Sequence, residues 1–281
     1  MNAIRTLLEF NFKSFDTPRP KVLVISHERS GTHFLMNTLA ANFGYVSNPF
    51  MNLDWSLGVN YYSAESFKEL FSKFRDYSVA NVFKSHHSMD FYRDFLPQDP
   101  LGFKVLYIYR DVYEVQVSYH GHLRSLPWNE GPSTQSLSEF LRRTPSGAMT
   151  RYEFHSANSM VERWVQHVES ALRIRERFSP SEFKMVSYRN LHRHFDSSVQ
   201  QLARFLGLPC PDPCKRPLRT ENVVPPVLGL ADQEILKYYS SDDIEFVERV
   251  AGPTREQLAA IEKVSSQVGS PYTSESTKSL C

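Results

Sequence analysis

Cysteine is scarce: Cys210, Cys214 and Cys281 are the whole complement of 281 residues. That is too few for a disulfide framework. Cys210 and Cys214 share the run Pro-Cys-Pro-Asp-Pro-Cys, but no second pair of ligands lies nearby at finger-like spacing. The sequence therefore predicts inert thiols rather than a structural zinc. Long apolar runs are missing as well. Nothing approaches the ~18 residues that a membrane-spanning helix needs, so no span is expected. The stretch from Met1 to Pro20 holds Glu9 and Asp16 and no long apolar core, so it does not read as a secretory signal. A soluble protein of a reducing compartment, with a cytoplasmic location, is the expectation. An excess of charge of one sign is also lacking, since the formal net charge is +1. No global field draws the chain to nucleic acid, and any anion site must be local.

What is present is ordinary for a folded chain. Hydrophobic residues make up 41% and charged residues 22%, which argues against disorder. The length suits one α/β domain with a sizeable core. Residues 1–264 read as that domain, and the Ser/Thr-rich stretch 265–281 reads as a flexible tail. A homodimer is left open.

Residues 21–27, Lys-Val-Leu-Val-Ile-Ser-His, form an apolar, β-branched run that predicts a buried strand. Ser30-Gly31-Thr32 breaks it, and Phe34, Leu35, Leu39 and Phe43 then recur at helical spacing. Further strands are predicted over Asn81–Ser85, Lys104–Tyr109 and Lys184–Tyr188. Helices are predicted after Asp111, over 158–178 and over Leu191–Leu206, the last ended by Gly207 and Pro209. Strands alternating with helices imply a parallel β-sheet flanked by helices on both faces, a three-layer sandwich of P-loop-like type. Ligands bind at the carboxyl ends of such strands. The segments 124–157 and 208–230 read as loops with short helices around a pocket.

Three clusters fall at those strand ends. The first is Ser26-His27-Glu28-Arg29-Ser30-Gly31-Thr32-His33-Phe34. A strand-to-helix turn presents free backbone N–H groups and the positive end of a helix dipole, which together cradle phosphate. Read alone, it is also a plain capped turn. It is not an ATPase loop, because Gly31 is followed by Thr32 rather than Lys, and no Gly stands five positions earlier. With that loop goes the main reason to expect Mg²⁺. The second cluster is Arg110 at a strand tip with Ser118 two helical turns on; both can face one phosphate, Arg in fork geometry. The third is Lys84-Ser85-His86-His87, where a histidine at a strand end can act as a general base near neutral pH. The bland alternatives are a surface Arg with an exposed Ser, and a loop His.

Taken in order, these residues resemble the family of sulfotransferases that use 3′-phosphoadenosine 5′-phosphosulfate (PAPS). Arg29-Ser30-Gly31-Thr32 is similar to that family's Lys-Ser-Gly-Thr loop around the 5′-phosphosulfate. Lys84-Ser85-His86 is similar to its Lys-Thr-His strand with the catalytic base. Arg110 through Ser118 resembles its Arg-x7-Ser motif for the 3′-phosphate. Val186-Ser187-Tyr188-Arg189-Asn190-Leu191 resembles the strand whose Tyr sits by the adenine, and Leu202 to Gly207 the Leu-x2-Phe-Leu-Gly segment after it. The resemblance runs from about residue 21 to 210.

It implies His86, Arg29 and Lys84 as the catalytic set. It implies Arg29, Ser30, Gly31, Thr32, His33, Phe34, Arg110, Ser118 and Tyr188 as the cofactor set, with PAPS as co-substrate, 3′-phosphoadenosine 5′-phosphate (PAP) as product and no metal. Arg29 stands where the cytosolic enzymes usually have Lys, and Phe34 where an aromatic, often Trp, stacks near the adenine. The family's late Arg-Lys-Gly loop has no clear match; Arg216 and Arg219 are the candidate substitutes. The acceptor is expected to be a small molecule carrying a hydroxyl or amine. Phe50, Trp55, Tyr61, Tyr62, Tyr119 and Trp128 either line its pocket or belong to the core. His120, His122, His192 and His194 read as solvated helix residues. The rival readings are a non-catalytic nucleotide-binding module on the same fold and, more remotely, a P-loop kinase.

Overall fold

The computed structural model describes residues 19–53, 68–69, 72, 75, 78–98, 102–218 and 232–268. Trp55, Tyr61, Tyr62 and Arg219 fall outside them. Five parallel strands form one sheet: β1 (Lys21–Ile25), β2 (Val46–Asn52), β3 (Asn81–Ser85), β4 (Phe103–Tyr109) and β5 (Phe183–Ser187), in the order β2-β3-β1-β4-β5. The helices are α1 (Thr32–Phe43), α2 (Val112–Ser125), α3 (Leu137–Arg142), α4 (Met160–Ile174), α5 (Tyr188–Arg193), α6 (Phe195–Leu206), the short α7 (Asp232–Ile235) and α8 (Ser241–Val268). A 3₁₀ turn spans Gly147–Tyr152. The architecture expected from the sequence, a parallel sheet between two helical layers, is the one observed.

The pleat explains why both faces are covered. Side chains alternate along a strand, so Val22 and Val24 of β1 face one way and Leu23 and Ile25 the other. Val22 and Val24 join Leu106 and Ile108 in a core with Leu35 and Leu39 of α1 and Val199 and Leu202 of α6. Leu23 and Ile25 join Val105 and Tyr107 in a second core with Val115 of α2, Trp164 and Val168 of α4, and Val247 of α8. Strands buried on both sides read as continuous apolar runs, and β1 and β4 do.

Several boundaries move. Tyr188 is not the end of β5 but the first residue of α5, capped by Ser187, whose hydroxyl accepts the Asn190 N–H. The helix expected over 191–206 is two helices, broken at His194. β2 is an edge strand containing Pro49 and a register shift, and Pro is tolerated at such an edge. Helix α8 runs to Val268, four residues into the stretch expected to be a tail. Among the described residues, no helix is long and apolar enough to cross a membrane.

The connection after β1 leads to one side of the sheet, toward β2, and the connection after β4 leads to the other, toward β5. β1 and β4 are neighbours. A crevice opens where adjacent strands send their connections apart, and ligands bind there.

Candidate active site

Loop 26–31 leaves β1 at that crevice. Arg29 and Gly31 both have positive φ, 64° and 96°. For Arg29 this is a strained backbone that the surrounding contacts must hold. At Gly31 a side chain is excluded by packing as well: a Cβ would come within 2.2 Å of Cδ2 of Tyr188. The loop thus lies flat against the Tyr188 ring. Gly31 is the N-cap of α1 and no side chain caps that helix, so its first-turn amides face the crevice with the dipole behind them. The Ser30 hydroxyl is buried and has no hydrogen-bond partner among the described residues. Orphaned buried donors are costly, which marks this loop as one shaped for a ligand oxygen.

Two guanidinium groups converge on it. Arg29 donates its Nε–H to Oγ of Ser118 at 3.2 Å. Arg110, at the tip of β4, lies 4.5 Å from the centre of the Tyr188 ring and pairs with Glu114. Burial, followed by the charge of Arg110, lowers the Arg29 pKa. A bound anion relieves both effects. Phe34 sits edge-on to Tyr188 at 6.1 Å and near His192, making an aromatic wall beside the cations.

The catalytic candidates lie at the end of β3. His86 donates its Nδ1–H to the Ser26 carbonyl at 2.8 Å. The tautomer follows: the lone pair is on Nε2. Burial and then Lys84 hold the imidazole well below its ordinary pKa, so it is neutral at pH 7. Lys84 is buried and lines the same cleft. His87 instead stacks on Phe91 at 4.4 Å and is not part of the cleft wall. His33, packed on Phe50, is pushed down to about 4 by burial and by Lys84 and Arg29.

One cleft of about 720 Å³ gathers most of these side chains, though not His87 or Ser30, and its size is usual for a small-molecule site. Of the expected site residues, Arg29, Gly31, Thr32, His33, Phe34, Lys84, His86, Arg110, Ser118, Tyr188 and Arg216 line it. Arg216 donates to the His192 carbonyl and lies over the Phe195 ring. Arg216, one of the two candidate substitutes for the late loop, thus lies at the cleft wall. Among the described residues, no group of three or more His, Cys, Asp or Glu side chains could hold a metal.

Sequence reasoning missed two parts of the site. His122 and His192, expected on solvated helix faces, line the cleft. Beneath the loop lies a buried ion-pair knot. Arg163 of α4 donates Nη1–H and Nη2–H to the Glu28 carboxylate at 3.0 and 2.8 Å. It also donates to Nε2 of His27 and to Glu153. Tyr119 donates to Glu28 at 2.8 Å. Opposite the loop, Arg151 pairs with Glu130 and contacts the hydroxyl of Tyr152, whose ring stands edge-on to His86 at 5.7 Å. Glu130, Arg151, Tyr152 and Glu153 sit in the poorly periodic stretch 124–157, while Tyr119 and Arg163 sit on helices whose spacing does not show what they face.

Solved structures similar to the chain include mouse sulfotransferase SULT7A1 complexed with PAP, at 19% identity and a TM-score of 0.47, covering 80% of this chain and 64% of that one. Retinol dehydratase in complex with retinol and PAP is 16% identical, with a TM-score of 0.45 over 75% of this chain and 67% of that one. The sulfotransferase domain from the curacin biosynthetic pathway is 14% identical, with a TM-score of 0.39 over 73% and 80%. The chain therefore spans less than two thirds of the mouse protein's length. No curated protein matches the sequence. The sequence profile of the sulfotransferase domain matches residues 19–223, well over half of the chain. The chain belongs to the sulfotransferase domain family.

Proposed function

We propose that this protein transfers a sulfuryl group from PAPS to a hydroxyl or amine of a small acceptor, with His86 as general base and no metal. One observation carries the reading: the Arg29–Ser118–Arg110 cluster and His86 face a single cleft at the crevice between β1 and β4. PAPS, when bound, supplies the activated sulfuryl group and a nucleotide leaving group. Arg110 and Ser118 hold the 3′-phosphate, with Arg216 closing over it. The amides of α1, Ser30 and Thr32 cradle the 5′-phosphate. Tyr188 and Phe34 flank the adenine.

The acceptor oxygen attacks sulfur in line with the bond to the leaving phosphate oxygen. One S–O bond forms, one breaks, and the acceptor proton passes to Nε2 of His86. Negative charge grows on the leaving oxygen, where Arg29, Lys84 and the helix amides stabilise it in a site poor in water. The problem is that of phosphoryl transfer: positioning and charge, with little covalent work for the protein.

Incubation with labelled PAPS and a cell extract, followed by identification of the sulfated product, tests the activity. Tight PAP binding without transfer to any acceptor would instead identify a non-catalytic nucleotide module.

A further inference from the structure

The cleft carries a polar group that the transfer chemistry does not use. His122 lies on α2, four residues after Ser118. Positions four apart share a helix face and stand about 6 Å apart along the axis. Ser118 accepts the Arg29 N–H. One turn further along the same face, the imidazole of His122 meets the cleft beside Leu126 and Trp128. Nδ1 of His122 is buried and has no hydrogen-bond partner among the described residues. Nε2 is then the nitrogen that the ring presents to the cleft. Burial and the nearby Arg29 lower its pKa, against the opposing pull of Glu130 and Glu28, which keeps the ring neutral near pH 7. A neutral imidazole nitrogen donates or accepts one hydrogen bond, according to tautomer.

The rest of this wall gives that nitrogen its meaning. Phe50, Leu126, Trp128 and Tyr152 are apolar or aromatic surfaces. The charge of Arg151 is matched by Glu130. A largely apolar surface with few placed polar atoms fixes how a ligand lies more than how tightly it binds. A site that hydrogen-bonds a ligand group discriminates against analogues lacking it, because a buried group is then left unpaired.

We propose that His122 is a specificity-determining residue: its Nε2 hydrogen-bonds a second polar group on the acceptor. The favoured acceptors are compact aromatic alcohols or phenols with a hydroxyl or carbonyl remote from the oxygen that is sulfated. This rests on the sulfotransferase reading above. One face of α2 then reads both substrates, the nucleotide through Ser118 and the acceptor through His122.

The test compares two acceptors with labelled PAPS: beta-naphthol, and the naphthalenediol whose hydroxyls lie at opposite ends of the rings. Wild type is expected to favour the diol in kcat/KM by about tenfold beyond its statistical factor, the scale of one hydrogen bond. In His122→Phe that preference falls to the statistical factor. His122→Gln, whose amide reaches toward the place of Nε2, restores part of it. Equal preference in wild type and His122→Phe would overturn the proposal. So would a loss of PAP affinity in His122→Phe of tenfold or more by calorimetry, which would make His122 a nucleotide contact. If neither acceptor turns over while PAP binds, the acceptor class is wrong and the nucleotide reading stands. If PAP does not bind wild type, the sulfotransferase reading itself fails.

Discussion

The Nδ1–H of His86 is donated to the Ser26 carbonyl at 2.8 Å, and the Ser26 hydroxyl lies 2.7 Å from that of Thr32. The candidate base and the candidate phosphate loop are therefore joined through one residue. The first bond fixes the tautomer of His86; the second ties the end of β1 to the first turn of α1. The proposed proton transfer and anion binding would thus depend on the same short piece of backbone.

Nucleotide affinity is expected to depend on Arg110 and less on Ser118. Removing one partner of a buried charge pair costs about 2–5 kcal/mol. A hydrogen bond to a charged group contributes about 1.5–3 kcal/mol. Calorimetry with PAP on Arg110→Ala and Ser118→Ala measures both, and unchanged affinity in Arg110→Ala would remove the 3′-phosphate assignment.

Gly31→Ala should impair nucleotide binding and stability together. The positive φ alone costs a substituted residue about 1–3 kcal/mol. The added Cβ also runs into the Tyr188 ring, which must swing away from Arg110. Thermal unfolding and PAP titration of the variant check this; a variant that binds PAP like wild type would show that the loop does not need its close approach to Tyr188.

Breaking the Glu28–Arg163 pair should destabilise the fold strongly. Arg163→Met leaves Glu28 buried with its charge uncompensated, an effect of about 3–5 kcal/mol. Adding Glu28→Gln removes the stranded charge and is expected to recover part of the loss. Urea unfolding of the single and double variants measures the difference. A double variant less stable than Arg163→Met would contradict this account of the knot.

Stability should fall on acidification. Burial is the main cause of the lowered pKa values of His27, about 4, and His167, about 3. Arg163 donates to Nε2 of His27, which requires the neutral ring. The ordinary histidine value is 6.5. Between that value and the folded values the unfolded chain binds more protons than the folded one, so unfolding free energy rises with pH across this window. Glu28, held well below its ordinary value by Arg163 against the cost of burial, acts in the same sense at lower pH. Urea midpoints measured from pH 7 down to pH 5 should decrease steadily; a flat series would mean that these rings are not buried neutral.

The sheet was legible where the chain is apolar on both faces. β1, β3, β4 and β5 carry β-branched or aromatic runs and stood out. β2 did not, because Pro49 and exposed residues interrupt it. Helix α8 was hidden by Pro253 and a largely polar surface. The candidate phosphate loop, Arg110 and His86 could be placed at strand ends from the sequence because each is local to one strand end. The Glu28–Arg163 pair joins residues 135 positions apart, and no local pattern announces such a contact. His122 was misread for a related reason: helical spacing shows which residues share a face, but not what lies opposite that face.

The role of His86 is the claim on which the mechanism turns. With acceptor and PAPS saturating, His86→Ala should lower kcat by about 10²–10⁴, the range for general acid–base catalysis. PAP affinity should stay near wild type, because the proton His86 takes belongs to the acceptor. The wild-type pH–rate profile should keep its activity below pH 6.5 before an acidic limb appears, since burial and Lys84 hold the imidazole below its ordinary value; the variant should lack that limb. His87→Ala, which alters a ring stacked on Phe91 away from the cleft, reports the effect of local packing alone. A His86→Ala enzyme with wild-type kcat, or a larger loss from His87→Ala than from His86→Ala, would contradict the account.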